Sequence, residues 1–497
     1  MSQGGGTLLV AAGVRTLDAD GPRPPRAVLV EGERISWVGA DPRDAPPHAR
    51  ALDLAGAWLA PAFVDAHVHL TAFGLTHSGL DLAGAASLAE ALTRLRTHAA
   101  RTDGPVTGHG WDESAWPEQR APRSDELADA APGRTVHLAR VDGHSGVVDP
   151  ATLAALPLDR LEGVHRAGDG RPTGWLAEQA NEAAWQEVRA QLPEARLAAA
   201  RTAAAEHAAG LGITTVHEMG HPALSSLDDA RAWRDGDWPV ESLVWWADID
   251  ARVALDAGLR PGGDLFLDGS IGSGTAAVDG TDTHPFHDDA AVTDVLVTAT
   301  ERGTTAAAHA IGERAIAQFA RALDAAARRC GARAVAACGH RLEHVELPRP
   351  ADVPVLRRYG VVASVQPAFD ARWGGPDGMY AARLGRARAL ASNPFADLTA
   401  AGVPLAFGSD APVTPLDPWG AVEAATDHRG DRGIPRAAAF AAHTLGGRRA
   451  GGQVDIGHVR PGERADLVAW DADPLGTRRP TALATLRAGA VVAGATD

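Results

Sequence analysis

The stretch Pro61-Ala62-Phe63-Val64-Asp65-Ala66-His67-Val68-His69 decides how the rest of the chain is read. Its apolar run after Pro61 reads as a buried strand, and it ends in two histidines one residue apart. Side chains at i and i+2 of a strand share a face, so His67 and His69 converge on one point. Two buried imidazoles are costly to leave unpaired. A divalent metal answers that cost, because imidazole nitrogens suit zinc. A His-x-His says little by itself; the rest of the chain gives it weight.

From Ala62 onward, strands alternate with helical stretches, which implies an α/β fold with a parallel sheet. The strand candidates are Ala62–His69, Gly212–His217, Ser242–Ala247, Asp264–Asp268, Thr304–His309, Arg341–His344, Val361–Gln366 and Pro404–Gly408. Eight is the number for a (β/α)8 TIM-like barrel. Helices are predicted over Glu313–Arg329, Val353–Tyr359 and Pro394–Ala401, each just before a Gly-containing turn. The first two strands are about 140 residues apart, too many for one helix and loop. The excess, about residues 75–205, reads as an insertion that caps the barrel mouth. It opens with a helix whose capping box is Ser87 with Glu90, and Leu88, Leu92 and Leu95 recur on one face. An Ala-rich helix, Glu194–Ala209, closes it at Gly210.

Both ends of the chain carry short β-like runs: Thr7–Ala12, Arg26–Val30, Arg34–Val38 and Ala51–Leu59, then Asp466–Trp470 and Gly489–Ala493. Neither end holds enough strands alone, so the two are expected to pair as one small β-sandwich. The domain expectation is a composite sandwich of residues 1–60 and 451–497, with a barrel over 61–450.

Composition narrows the function classes. A net charge of −16 argues against nucleic-acid or anionic-membrane partners; the partner expected is a small-molecule substrate. No apolar run is long enough to span a bilayer. Cys330 and Cys338 are the only cysteines, which fits a reducing cytoplasm. All 47 basic residues are Arg, and there is no Lys.

The polar residues at predicted strand ends then line up. The first strand ends in His67 and His69, the fifth in His309, the sixth in Glu343-His344, and the eighth runs into Ser409-Asp410. Barrel chemistry sits at the C-terminal ends of strands. Metal ligands and bases therefore fall where this fold builds its site. His217 ends the second strand and is read as packing; His284 and His287 are read as surface residues. The Gly269–Gly274 loop lacks the Lys of a phosphate loop and is read as barrel-mouth wall.

The chain resembles the metal-dependent amidohydrolase superfamily, in the branch similar to N-substituted formamide deformylases. The matching motifs are Pro61–His69, Gly110-Trp111-Asp112, Gly212-Ile213-Thr214-Thr215-Val216-His217-Glu218, and Leu267-Asp268-Gly269-Ser270-Ile271-Gly272-Ser273. His309-Ala310-Ile311-Gly312-Glu313, Gly408-Ser409-Asp410-Ala411-Pro412 and Pro461-Gly462-Glu463-Arg464-Ala465-Asp466-Leu467 complete the set. The resemblance covers nearly the whole chain. It implies a zinc-dependent hydrolase that cleaves a C–N bond at an amide-like carbon. Trp111, Asp112, Arg140, Asp142 and His144 are the substrate-binding candidates, with Trp116 beside them; Trp111 and Trp116 serve equally well as core of the insertion.

There is one departure. The branch commonly places a metal-bridging Lys four residues before the Asp-Gly of the fourth strand, and here that position is Asp264. An Asp side chain, about three bonds shorter, is expected to fall short of the strand end from that depth. The favoured expectation is a single metal on His67, His69, His309 and Asp410. In it Asp410 is the catalytic base and His344 the second catalytic group. The competing expectation keeps a second metal on His309 and His344, with Asp268 or Glu218 as carboxylate. Alternatives are a single-metal deaminase of an amidine-like ring and a non-catalytic barrel. Iron or manganese could replace zinc, since such ligands suit several metals. Homo-oligomers are open.

Overall fold

The computed structural model describes residues 5–18, 24–54, 56–141, 143, 145–429, 432–453 and 456–495. The chain divides into two compact units. One comprises residues 1–68, 205–221 and 227–497, the other residues 69–204 and 222–226.

The first unit is built on eight parallel segments. They are β1 (Phe63–Val68), β2 (Ile213–Gly220), β3 (Glu241–Trp246), β4 (Arg260–Pro261), β5 (Ala307–Ala310), β6 (Arg341–His344), β7 (Val362–Val365) and β8 (Leu405–Phe407). They form two four-stranded sheets, ordered β4-β3-β2-β1 and β5-β6-β7-β8. All neighbours are parallel. Every residue of β1 and β2 is buried, as expected of strands covered on both faces. A parallel bridge between Phe266 and His309 links the two sheets, and Asp410 N donates to His67 O at 2.7 Å where β8 meets β1. This is a TIM-barrel-like α/β arrangement.

The predicted strand Asp264–Asp268 is not a strand. Regular pairing stops at Pro261, and only the bridge at Phe266 persists. Gly262 and Gly263, at φ +88° and +85°, turn the chain out of β-geometry, where a side chain would be strained. A Cβ on Gly262 would also meet Ala307 O at 1.8 Å. Asp264 thus lies past the end of β4 and not within it.

Strands from the two ends of the chain pair with one another. One sheet holds Thr7–Val10, Ala27–Glu31, Arg34–Gly39 and Arg50–Asp53. The other holds Gly13–Val14, Trp58–Pro61, Leu467–Trp470, Ala482–Arg487 and Ala490–Gly494. Leu9, Val28 and Ile35 share one buried cluster with Leu59, Leu467 and Leu486. Trp58–Pro61 runs antiparallel to Leu467–Trp470 and leads straight into β1. At the base of β1 the Phe63 ring is packed edge-on by Trp419, Phe440 and Trp470, with centroids 5.0, 5.4 and 5.5 Å away. These contacts fix the strand that carries His67.

The second unit has its own six-stranded sheet, from Leu80–Asp81 through Val106–Trp111, Val136–Arg140, Ser145–Val148 and Pro172–Ala177 to Val164–Arg166. Its helix Leu88–Ala99 begins at Ser87, whose Oγ accepts from Glu90 N at 3.1 Å. Among the described residues, no helix is long and apolar enough to cross a membrane.

Candidate metal centre

Five side chains of the first unit face one another at the strand ends. Asp264 is at the centre. Its Oδ1 lies 3.6 Å from His67 Nε2, 3.5 Å from His309 Nδ1 and 3.6 Å from His344 Nε2. Asp410 Oδ1 is 3.5 Å from His67 Nε2. These separations are at or beyond the limit of a hydrogen bond. They suit atoms that share a cation, since two ligands each about 2.1 Å from a tetrahedral centre lie about 3.4 Å apart. Donor atoms of His67, His69, Asp264 and Asp410 all fall within 4.8 Å of one another, as do those of Asp264, His309 and His344. All six residues are buried.

The expected grouping of His309 with His67, His69 and Asp410 is not among the sets whose donor atoms lie within 4.8 Å of one another among the described residues. His309 groups with His344, and Asp264 is common to both sets. The expectation that Asp264 falls short is corrected by the break at Gly262-Gly263: the carboxylate starts at the strand end, so a short side chain reaches. Asp268 and Glu218 fall in neither group among the described residues. Asp268 instead accepts backbone N–H from Ala277 (2.8 Å), Ile311 (3.0 Å) and Gly312 (2.7 Å), and so ties down the loop after β5.

The three imidazoles that face Asp264 are each aimed by the other nitrogen. His67 Nδ1 donates to Glu343 Oε2 at 2.9 Å, His344 Nδ1 to Gln366 Oε1 at 2.8 Å, and His309 Nε2 to Gly269 O at 3.3 Å. The atoms left facing Asp264 are His67 Nε2, His344 Nε2 and His309 Nδ1. The last two are buried and hydrogen-bond to nothing among the described residues. His344 and Asp410 hold φ at +71° and +55°, a region that non-glycine residues seldom adopt and that clusters at functional sites. Phe369 stacks on His344, centroids 5.8 Å apart and planes 9° from parallel.

The electrostatics favour a cation. Burial works against charge on His67, but Asp264 and Asp410 outweigh it and raise its pKa well above the ordinary value. Burial likewise opposes ionisation of Asp264, yet His67, His309 and His344 pull its pKa well below the usual range. Asp65, wholly buried, is pushed up to about 6 by burial while accepting from His67 N and Ser409 N, and so joins β1 to the Asp410 loop.

Other expectations fall elsewhere. Trp111 is fully buried in the core of the second unit and donates Nε1 to Leu138 O at 2.8 Å; Trp116 packs beside it. Asp112 caps a short 3-10 turn by accepting from Ser114 N at 3.1 Å, and Arg140 pairs with Glu113 at 2.8 Å. Asp142 and His144 lie outside the described residues. His217 is buried and accepts from Arg341 Nη1 at 2.7 Å; burial and Arg341 hold its pKa well below ordinary. Arg341, Glu343 and Gln366 carry supporting roles that went unassigned in the sequence. Their signal was present: Arg341 and Glu343 stand at i and i+2 of a buried strand, where opposite charges must meet.

The sequence profile described as "Amidohydrolase family" matches residues 50–493. The chain belongs to the amidohydrolase family. It is 27% identical to the N-substituted formamide deformylase of Arthrobacter pascens, over 96% of this chain and 95% of that protein. It is 26% identical to the protein LONG AFTER FAR-RED 3 of Arabidopsis thaliana, over 84% of this chain and 80% of that one. An uncharacterized metal-dependent hydrolase from Pyrococcus furiosus shares its fold, with a TM-score of 0.78, 24% identity, and coverage of 95% of this chain and 100% of that one. As an amidohydrolase the protein is an enzyme that hydrolyses carbon–nitrogen bonds of a small-molecule substrate, and its buried His/Asp cluster is a donor set for a metal cofactor.

Proposed function

We propose that this amidohydrolase cleaves an N-substituted formamide or related amide, using two zinc ions. His67, His69, Asp264 and Asp410 would hold one, and Asp264, His309 and His344 the other. The observation that carries this reading is the single carboxylate, Asp264, common to both donor groups. The substrate class is drawn from the Arthrobacter pascens relative. We rank the single-metal deaminase below it, because that reading needs His309 beside His67 and the donor groups separate the two. We rank the non-catalytic barrel lower still, because Asp264 takes the position that the missing Lys would serve.

A bound divalent cation supplies Lewis acidity and lowers the pKa of a water. The chain's own residues do the rest. Asp410 accepts a proton from the attacking water and returns it to the departing nitrogen as the C–N bond breaks. Its left-handed backbone holds the carboxylate toward His67. Asp65 fixes the loop that carries it. His344 serves this reading as a ligand, with Gln366 fixing its ring. The products are formate, or the corresponding carboxylate, and an amine. We assign residues 61–450 to the barrel and its insertion, and 1–60 with 451–497 to the sandwich. The compartment we propose is the reducing cytoplasm, on the strength of the free Cys330 and Cys338.

The test is amine and formate release from a panel of N-alkyl and N-aryl formamides and amides. Turnover that stops on chelation and returns with zinc supports the reading. Ammonia release from cyclic amidines, with no amide cleavage, would replace it with the deaminase.

A further inference from the structure

We propose that Glu343, locked by Arg341, is a positioning residue that fixes the His67 imidazole with Nε2 as its ligand atom and makes the His67 group the tighter of the two cation sites. The inference rests on the cation reading above and adds an order of affinity to it.

Glu343 is wholly buried at the end of β6. Its Oε2 takes the His67 Nδ1 proton at 2.9 Å, so the opposite nitrogen is the one turned to Asp264 and Asp410. Arg341 holds the carboxylate from behind, with Nε on Oε1 at 2.6 Å and Nη2 on Oε2 at 3.0 Å. The guanidinium is itself immobilised. It donates to Ala66 O on β1, to Ser364 Oγ on β7 at 2.9 Å and to His217 Nδ1 on β2 at 2.7 Å, and its face lies 4.7 Å from the Trp245 ring on β3. Rotating it would break contacts with four strands. The carboxylate is thus set by the strands that carry the site.

The three imidazoles that face Asp264 differ in what backs them. His67 is backed by a carboxylate, His344 by the Gln366 amide, and His309 by the Gly269 carbonyl. Any acceptor on the far nitrogen fixes the tautomer and raises the basicity of the ligand nitrogen, and an anionic carboxylate polarises the N–H more than a neutral amide or carbonyl does. Glutamine at position 343 would remove that charge. It would also set an amide NH2 against either His67 Nδ1–H or an Arg341 N–H, so no orientation satisfies every donor.

The experiment is zinc titration of the chelator-treated full chain against a competing indicator, for the wild type, Glu343→Gln, His67→Ala and the double variant. Glu343→Gln is expected to weaken the tighter step about 10–100-fold and leave the weaker step in place. In the His67→Ala background it should change zinc binding by less than about 2-fold, because its effect runs through His67. Full loss in both backgrounds, or no loss in either, overturns the proposal. Should Glu343→Gln fail to fold, Gln366→Leu decides: it should weaken only the weaker step, and weakening of the tighter one overturns the ordering. A wild-type chain that takes up no zinc would instead overturn the cation reading, and this inference with it.

Discussion

Asp264 Oδ1 lies 3.6 Å from His344 Nε2 across the ends of β4 and β6. The carboxylate faces two more imidazoles at similar range, and among the described residues no other belongs to both donor groups. On the two-cation reading, Asp264→Ala should damage both sites at once. We expect kcat/KM to fall at least about 100-fold, the upper range for loss of a mere supporting group. Steady-state assays with zinc in excess check this. Near wild-type turnover would remove Asp264 from the site.

Asp410→Asn keeps the size of the side chain and abolishes its basicity. The fold should survive, because Asp65 and not the Asp410 side chain secures the loop through Ser409 N. Turnover should drop about 100-fold or more, the ordinary contribution of a general base. Circular dichroism with kcat separates the two effects, and wild-type kcat in a folded variant would exclude Asp410 as the base.

Trp111 is a stability residue on this structure. Its ring is fully buried and its Nε1 is bonded to Leu138 O. Trp111→Ala should cost about 3–5 kcal/mol of unfolding free energy, as large-to-small aromatic changes in cores do. Thermal or denaturant unfolding measures it. An unchanged midpoint with a raised KM would return Trp111 to the substrate contacts.

Acid should destabilise the protein well above the carboxylate range. Burial holds His340 down to about 4, with Nδ1 accepting from Ala306 N at 3.0 Å. The unfolded chain binds this proton near pH 6.5, so the contribution is complete above that pH and is lost as pH falls toward 4. At about pH 5 the loss from this group is about 2 kcal/mol. His443, also held to about 4 by burial, acts in the same sense. Denaturant titrations on either side of this window should show the slope, and His340→Gln should be less stable at neutral pH but flatter below it. An equal slope in the variant would contradict the assignment.

Much of this was legible in the chain. The His-x-His stretch, the order of strands and the polar residues at their ends follow from periodicity and from where a barrel exposes its strand ends. The misplacement of Asp264 came from counting it inside a regular strand. The two left-handed glycines before it were visible, but what they do depends on the approach of Ala307 from a neighbouring strand, which no local pattern encodes. Trp111 illustrates the opposite limit. Gly-Trp-Asp is conspicuous in sequence, yet whether an indole faces a ligand or a core is set by partners such as Leu138 and Trp116, from distinct elements of the second unit.

The most direct measurement is elemental analysis of metal per chain, on protein purified without chelators and then reconstituted with zinc. A carboxylate common to two donor groups predicts two cations per chain in the wild type, and a loss from both groups in Asp264→Ala. One cation per chain, or none, would contradict the shared-carboxylate centre.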